Sequence, residues 1–155
     1  MERIYNSSLN FAKYMIKVLI TRKIPQRGIQ LLEDAGYKLT IYTEKRSLPQ
    51  KELIELCKKN DALLSAGSNK LNAHFFEECS HLQAVALMSV GYDNVDVEAA
   101  SAYKIPVSNT PDVLSNATSD IAFLLMLAVS RNAFQMHKRI ERGGWSFFEP
   151  TANLG

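Results

Sequence analysis

The sequence QAVALMSVGYDNVD at residues 83–96 decides the fold, because it joins an apolar run to a polar loop with one glycine and a terminal aspartate. The run at 83–88 has the length and composition of a strand that is buried on both faces. Asp96 is a residue type that begins helices, because its carboxylate accepts hydrogen bonds from the free amides of the first turn. The stretch therefore predicts a strand, a loop and a helix in succession.

The same succession extends outward from this stretch along the chain. Helical segments that begin near Pro25, Asn72 and Asp96 lie between apolar runs;. Strands that alternate with helices at this spacing indicate a parallel sheet covered on both faces. The predicted fold class is therefore α/β, a doubly wound parallel sheet of about five strands. The predicted strands are residues 15–20, 38–42, 62–65, 83–88 and 105–107.

The two ends of the chain differ from this alternating pattern. Apolar residues such as Ile121 and Leu124 recur at helical spacing through residues 116–142, which predicts one long helix;. Because this helix is longer than the other predicted helices, we expect it to leave the sheet and to pack against a surface other than the sheet. The polar residues 1–14 are predicted to be an N-terminal extension, and residues 145–155 an extended arm.

The composition is typical of one folded domain: of 155 residues, 18 are Lys or Arg, 16 are Asp or Glu, and 46% are apolar;. A net charge of +2 is too small for a nucleic-acid footprint, so no such partner is expected;. Cys57 and Cys79 form no CxxC pair, so neither a disulfide framework nor a metal site is predicted. No apolar run approaches the roughly 20 residues of a membrane span, and residues 1–14 lack the apolar core of a secretion signal. We therefore expect a cytoplasmic location without membrane association.

The spacing of the glycines excludes two nucleotide-binding motifs within these residues. No two glycines are separated by one residue, so a GxGxxG loop is absent, and no two are separated by four, so a Walker A loop is absent;. His74, His81 and His137 have no evident carboxylate or nucleophile partner along the sequence. They are predicted to be solvated side chains.

The loop at residues 89–96 carries the main functional signal. Ligands of open α/β sheets bind outside the carboxyl ends of the strands, where backbone amides attract anions. Because Gly91 has no Cβ, the amides of Val90 and Gly91 can approach and grip a small carboxylate. In the alternative interpretation, Gly91 relieves backbone strain in an ordinary turn and Asp96 caps the helix. The residues alone leave both interpretations open.

A second candidate is the segment at residues 107–120. Asn109 and Pro111 are turn formers, so the segment is a connector when it is taken alone;. In the functional alternative, this segment leads into the start of the long helix, where the Thr118 hydroxyl and the backbone amides face a phosphate.

Four segments taken together resemble the D-isomer-specific 2-hydroxyacid dehydrogenases, above all their glyoxylate/hydroxypyruvate reductase branch. The resemblance runs in order through residues 15–155. Its segments are KVLITRKIP at 17–25, MSVGYDNVD at 88–96, NTPDVLSNATSDIAFLLMLAVSR at 109–131 and GGW at 143–145.

The resemblance implies a subunit with a flavodoxin-like substrate domain, here residues 15–112, and a Rossmann domain that binds NAD or NADP. The cofactor transfers hydride to C2 of a small 2-oxo acid, which gives a D-2-hydroxy acid. By resemblance, Ser89, Val90 and Gly91 form the substrate-carboxylate site. Ala66 and Gly67, after the third strand, form its opposite wall.

Residues 113–155 would then be a linker helix and an arm that lead into the Rossmann domain. The resemblance places Thr118 near the cofactor and implies a homodimer through the helix at 116–142. The arm, with Trp145, Phe147 and Phe148, would lie across the partner subunit, and Phe147 or Phe148 would reach toward the partner's substrate site.

The resemblance leaves the catalytic residues of this chain unassigned. In the family, the glycine-rich loop, the substrate-orienting Arg and the Glu–His pair follow later in the chain, beyond Gly155. We therefore expect the 155 residues to be the N-terminal portion of such an enzyme, inactive alone and without tight cofactor binding. The choice between NAD and NADP stays open. The alternative is a non-catalytic binding or dimerisation module derived from the family.

Overall fold

The computed structural model describes residues 15–46 and 48–144. The chain divides into two compact units between Pro111 and Asp112. The described part of the first unit contains the strands β1 (Lys17–Ile20), β2 (Lys38–Ile41), β3 (Ala62–Ser65), β4 (Ala84–Leu87) and β5 (Val107–Ser108). It also contains the helices α1 (Gln26–Asp34), α2 (Gln50–Cys57), α3 (Ala73–Glu78) and α4 (Val97–Ala102).

The strands form one parallel sheet in the order β2-β1-β3-β4-β5. This is the flavodoxin-like order of a doubly wound sheet. The register places Leu19 opposite Leu63, and Leu63 opposite Val85. The predicted α/β class and the parallel sheet are confirmed.

Alternating side chains of the strands cover the two faces of the sheet. Leu19, Leu63 and Val85 pack with apolar residues of α2, α3 and α4 on one face. Val18 and Ile20 point to the other face and pack with residues of α1. Burial of both faces holds the strands in place and leaves their carboxyl-end loops at one edge of the sheet.

Two helix starts in the first unit are fixed by side-chain caps. The Asn72 Oδ1 accepts a hydrogen bond from the Phe75 amide at 3.1 Å. The Asp96 Oδ1 accepts one from the Ala99 amide at 2.9 Å. Both predicted helix starts are confirmed.

The second unit contains two helices among its described residues, α5 (Ser115–Ser130) and α6 (Ala133–Glu141). The prediction of one long helix over 116–142 is wrong. Asn132 adopts a left-handed conformation with φ 49° and ψ 31°, which ends one helix and starts the next. Asparagine is one of the few residue types that adopt this conformation readily. A single-residue break hardly alters the apolar spacing, so the pattern did not reveal it.

The predicted N-terminal extension, residues 1–14, and the predicted arm, residues 145–155, lie outside the described residues. Within the described part of the chain, no helix combines the length and the hydropathy that crossing a membrane requires.

Candidate carboxylate-binding site

The β4 loop, residues 89–96, joins β4 to α4 and is anchored at both ends. At its start, the Met88 amide donates to the Ser65 carbonyl at 2.9 Å. At its end, the Leu71 amide donates to the Asn94 carbonyl at 2.8 Å, and the Asp96 amide donates to the Leu71 carbonyl at 2.8 Å. These bonds fix the loop beside the segment that follows β3.

The first two carbonyl groups of the β4 loop are bound to the segment that follows β5. The Ser89 carbonyl accepts from the Thr110 amide at 2.9 Å, and the Val90 carbonyl accepts from the Asn109 Nδ2 at 2.8 Å. In a planar trans peptide, the carbonyl and the next residue's N–H point in opposite directions. The amides of Val90 and Gly91 therefore both point away from Asn109 and Thr110.

The amides of Val90 and Gly91 lie on an exposed loop. In the part of the chain that the structure describes, neither the Val90 nor the Gly91 amide donates to a protein acceptor. Both residues are exposed. Adjacent N–H groups that point to one side form a concavity that attracts anions. The loop can therefore hold a carboxylate through two charge-assisted hydrogen bonds.

The fold itself does not require glycine at position 91. Gly91 is not among the residues with a positive φ. A Cβ built there would meet only the Asp93 Oδ2, at 3.5 Å, which is ordinary contact. The interpretation that Gly91 relieves backbone strain is therefore wrong, although the helix cap of Asp96 that went with it is confirmed.

The Ser89 side chain acts within the loop. Its hydroxyl donates to the Gly91 carbonyl at 2.7 Å. This bond closes the turn and occupies the hydroxyl proton, so Ser89 shapes the loop. Asp93 places one carboxylate on the same loop, beside Gly91.

The β3 loop, residues 66–70, is held by the buried side chain of Thr21. The Thr21 Oγ1 accepts from the Ala66 amide at 2.8 Å and donates to the Ala66 carbonyl at 3.1 Å. Both polar groups of the Ala66 backbone are thereby engaged. Gly67 follows with a φ of +106°, a conformation that side chains rarely adopt, and it is exposed;.

The remaining predicted site residues lie elsewhere. Thr118 lies in the first turns of α5, in the second unit, and its amide donates to the Leu114 carbonyl at 2.9 Å. Trp145, Phe147 and Phe148 lie outside the described residues. No group of three potential metal ligands occurs in the portion that the structure describes.

One histidine and both cysteines have structural surroundings of their own. The His81 Nε2 lies 3.1 Å from the Cys57 and Asn60 carbonyls, so His81 caps the end of α2 rather than being only solvated. Cys57 and Cys79 are buried free thiols. A hydrogen bond with Cys79 and burial both hold the pKa of Cys57 above its usual value.

Comparison with known proteins identifies the family. Residues 18–146 match the catalytic domain of the D-isomer specific 2-hydroxyacid dehydrogenases. The chain belongs to this family. The family resemblance of the sequence is thereby confirmed.

Members of this 2-hydroxyacid dehydrogenase family with similar sequences include archaeal glyoxylate reductases. The chain is 43% identical over 129 residues to the glyoxylate reductase of Pyrococcus furiosus, and the aligned residues are 83% of this chain and 38% of that protein. It is 36% identical over 140 residues to the glyoxylate reductase of Korarchaeum cryptofilum, and these residues are 90% of this chain and 42% of that protein. The chain thus spans about two fifths of the length of these curated relatives.

Two solved structures share the fold of this chain. The TT0316 protein of Thermus thermophilus superposes with a TM-score of 0.84 at 31% identity, over 90% of this chain and 45% of that one. A glyoxylate reductase from Paecilomyes thermophila, at 23% identity and a TM-score of 0.70, shares the fold over 85% of this chain and 43% of that one.

Sequence reasoning missed two residues that shape the site. Asn109 was identified only as a turn former, yet its side chain holds the Val90 carbonyl across 19 positions of sequence. Thr21 was identified only as part of a segment similar to the family, yet its hydroxyl holds the β3 loop. A polar residue directly after a buried strand was the available signal for Thr21.

Proposed function

We propose that residues 15–112 are the substrate-binding domain of an NAD(P)-dependent oxidoreductase that reduces small 2-oxo acids, such as glyoxylate or hydroxypyruvate, to D-2-hydroxy acids. The observation that carries this proposal is the pair of exposed amides at Val90 and Gly91, which donate to no acceptor among the described residues. The similarity to proteins named glyoxylate reductase supports a small 2-oxo acid as the ligand of these amides.

The chain's own residues bind and orient the acid. The amides of Val90 and Gly91 hold the two carboxylate oxygens, and each such bond to a charged group contributes about 1.5–3 kcal/mol. Gly67 forms the opposite wall, and Ala66 supports it through the Thr21 hydroxyl. A carboxylate held by two donors has a fixed plane, and this fixes which face of C2 is presented.

The nicotinamide cofactor supplies the hydride when it is bound. The residues of this chain do not fit a dinucleotide site, because no GxGxxG loop occurs among them;. We therefore assign no step of hydride transfer to them, and we place only Thr118 near the cofactor. We expect a polypeptide of these 155 residues to bind the acid without oxidising NADH or NADPH.

Calorimetry with glyoxylate tests the proposed function. We expect saturable binding by the full chain and no binding of acetamide, which lacks the negative charge. The Asp93→Asn variant removes the nearby carboxylate and should bind glyoxylate a few-fold more tightly, by about 0.5–1 kcal/mol. Equal heats for glyoxylate and acetamide would count against a carboxylate site, and NADH oxidation by the chain alone would refute its inactivity.

We also propose that a second copy of the chain covers α5. Several of its large apolar side chains are about half exposed or more, which leaves an apolar surface that association would bury;. The exposed apolar residues of α5 are Ile121, Phe123, Leu124, Leu125, Met126, Leu127 and Val129. This apolar surface also favours the alternative of a dimerisation module.

Sedimentation equilibrium tests the dimer. The parent chain should sediment at twice the monomer mass, and Leu124→Glu should sediment as a monomer, because it places a charge in the buried surface. The control Ser119→Glu adds the same charge to the polar part of α5 and should remain dimeric. A monomeric parent chain at high concentration would exclude the dimer.

A further inference from the structure

A pocket lies at the same edge of the sheet, between the residues that follow β1 and β2 and the β3 loop. It has a volume of about 210 Å³, and its lining contains no acidic residue among those that the structure describes. We name it the Arg22 pocket. Its lining residues are Thr21, Arg22, Arg46, Leu48, Ser68 and Asn69.

Arg22 brings a positive charge to this pocket. Its side chain packs on the Gly67 backbone, since a Cβ at Gly67 would lie 3.2 Å from the Arg22 Nε. Among the residues that the structure describes, no carboxylate forms an ion pair with Arg22. A guanidinium offers five N–H donors in a planar fork that matches the oxygens of carboxylate and phosphate.

Arg46 is fixed in the pocket wall by two carboxylates. Its Nε lies 2.6 Å from the Glu44 Oε2, and its Nη2 lies 2.8 Å from the Glu52 Oε2. Hydrogen bonds that Arg46 donates to Glu52 and Glu44 hold the pKa of Arg46 above its usual value. Because these carboxylates offset its charge, Arg46 forms part of the wall, and Arg22 is the residue that attracts an anion.

The surroundings add positive charge and hydrogen-bond donors. A neighbouring cleft, also lined by Arg22, contains Lys23 and Lys45, with Glu44 as its acidic residue. In the pocket itself, the Ser68 hydroxyl makes no hydrogen bond to the described residues. The Asn69 Nδ2 donates a hydrogen bond to the Ser65 Oγ at 3.2 Å.

We propose that the Arg22 pocket binds a small oxyanion, a phosphate or a carboxylate, through the Arg22 guanidinium and the Ser68 hydroxyl. The oxyanion has two possible sources. It is a free anion, or it is the far end of a dianionic 2-oxo acid whose first carboxylate lies on the Val90 and Gly91 amides. The second source rests on the proposed function, whereas the first does not. The β3 loop links the two positions, since the Asn94 Nδ2 donates to the Asn69 carbonyl at 2.6 Å.

Titration of the full chain with inorganic phosphate, followed through its amide NMR signals, tests the pocket. We expect the signals of Gly67, Ser68 and Asn69 to shift, and Arg22→Gln to weaken the affinity about tenfold through loss of a charge-assisted contact. The control Lys59→Gln removes one charge from the opposite edge of the sheet, before β3, and should bind as the parent does. Equal affinities of the two variants, or unshifted signals at 67–69, would overturn the proposal.

Two 2-oxo acids distinguish the sources. Glyoxylate has one carboxylate and should shift the signals of Val90, Gly91 and the facing Gly67, while those of Ser68 and Asn69 stay in place. If the oxyanion is the far end of the substrate, 2-oxoglutarate shifts the signals of Val90 and Gly91 and those of Ser68 and Asn69 at one common affinity. If 2-oxoglutarate leaves Ser68 and Asn69 unshifted while phosphate shifts them, the pocket takes a free anion. Failure of glyoxylate to shift residues 90 and 91 contradicts the proposed function and leaves the phosphate result standing.

Discussion

The Gly91→Val variant should bind glyoxylate about a hundredfold more weakly than the parent chain, with its free energy of unfolding changed by no more than about 0.5 kcal/mol. The backbone at Gly91 is open to side chains, because its φ is not positive and a Cβ would meet only the Asp93 carboxylate. Valine is therefore tolerated by the fold. Its methyl groups occupy the space before the two amides and lengthen both hydrogen bonds to the ligand.

Two controls separate this effect from a general change in the loop. Val90→Ala alters the neighbouring side chain and leaves both amides in place, so its affinity should stay within a few-fold of the parent. Gly91→Ala places a smaller group than valine at the site and should weaken binding by about tenfold, between the affinities of the parent chain and of Gly91→Val. Calorimetry and urea unfolding measure the two quantities. Tight binding by Gly91→Val would mean that the acid does not approach the loop at this residue.

The Thr21→Val variant should lower the free energy of unfolding by about 3 kcal/mol. The Thr21 hydroxyl satisfies both the amide and the carbonyl of Ala66, and Thr21 is only 2% exposed. Valine has nearly the same volume, so the packing is kept while two buried backbone groups lose their partner. An unpaired buried polar group costs about 1–3 kcal/mol.

The control for this prediction is Thr21→Ser, which keeps the hydroxyl and loses one methyl group. It should cost about 1 kcal/mol, the value of a buried methyl group. Urea unfolding of the three chains gives the differences, provided the slope with denaturant is unchanged. Equal losses for serine and valine would show that the hydroxyl contributes nothing beyond packing.

The sheet could be predicted because its signals are local. Apolar runs such as 62–65 and 83–88 are compact in sequence, and the caps at Asn72 and Asp96 act on amides three residues away. The fifth strand was placed early, at 105–107, whereas β5 is Val107–Ser108.

The break at Asn132 was not predicted, because it depends on the conformation of one residue. Apolar spacing measures which side chains share a helix face, and it continues with little change across one left-handed residue. Asparagine is compatible with a helix interior and with a left-handed turn, so its presence alone did not decide between them.

The loop proposed to bind a carboxylate could be selected from the sequence, but its geometry could not be predicted. Gly91 after a buried strand indicated the loop. The directions of the two amides depend on bonds from Asn109 and Thr110, which come from beyond the next helix. The charge of Arg22 against Gly67 likewise depends on the juxtaposition of β1 and β3, which no local pattern contains.

Amide NMR spectra of the full chain, recorded during a titration with glyoxylate, test most directly whether two backbone N–H groups hold the acid. We expect the proton signals of Val90 and Gly91 to move downfield together, with one dissociation constant, while that of Thr118 stays in place. If the Val90 and Gly91 signals remain fixed at saturating glyoxylate while signals elsewhere in the chain move, the acid binds at another place and these two amides do not hold it.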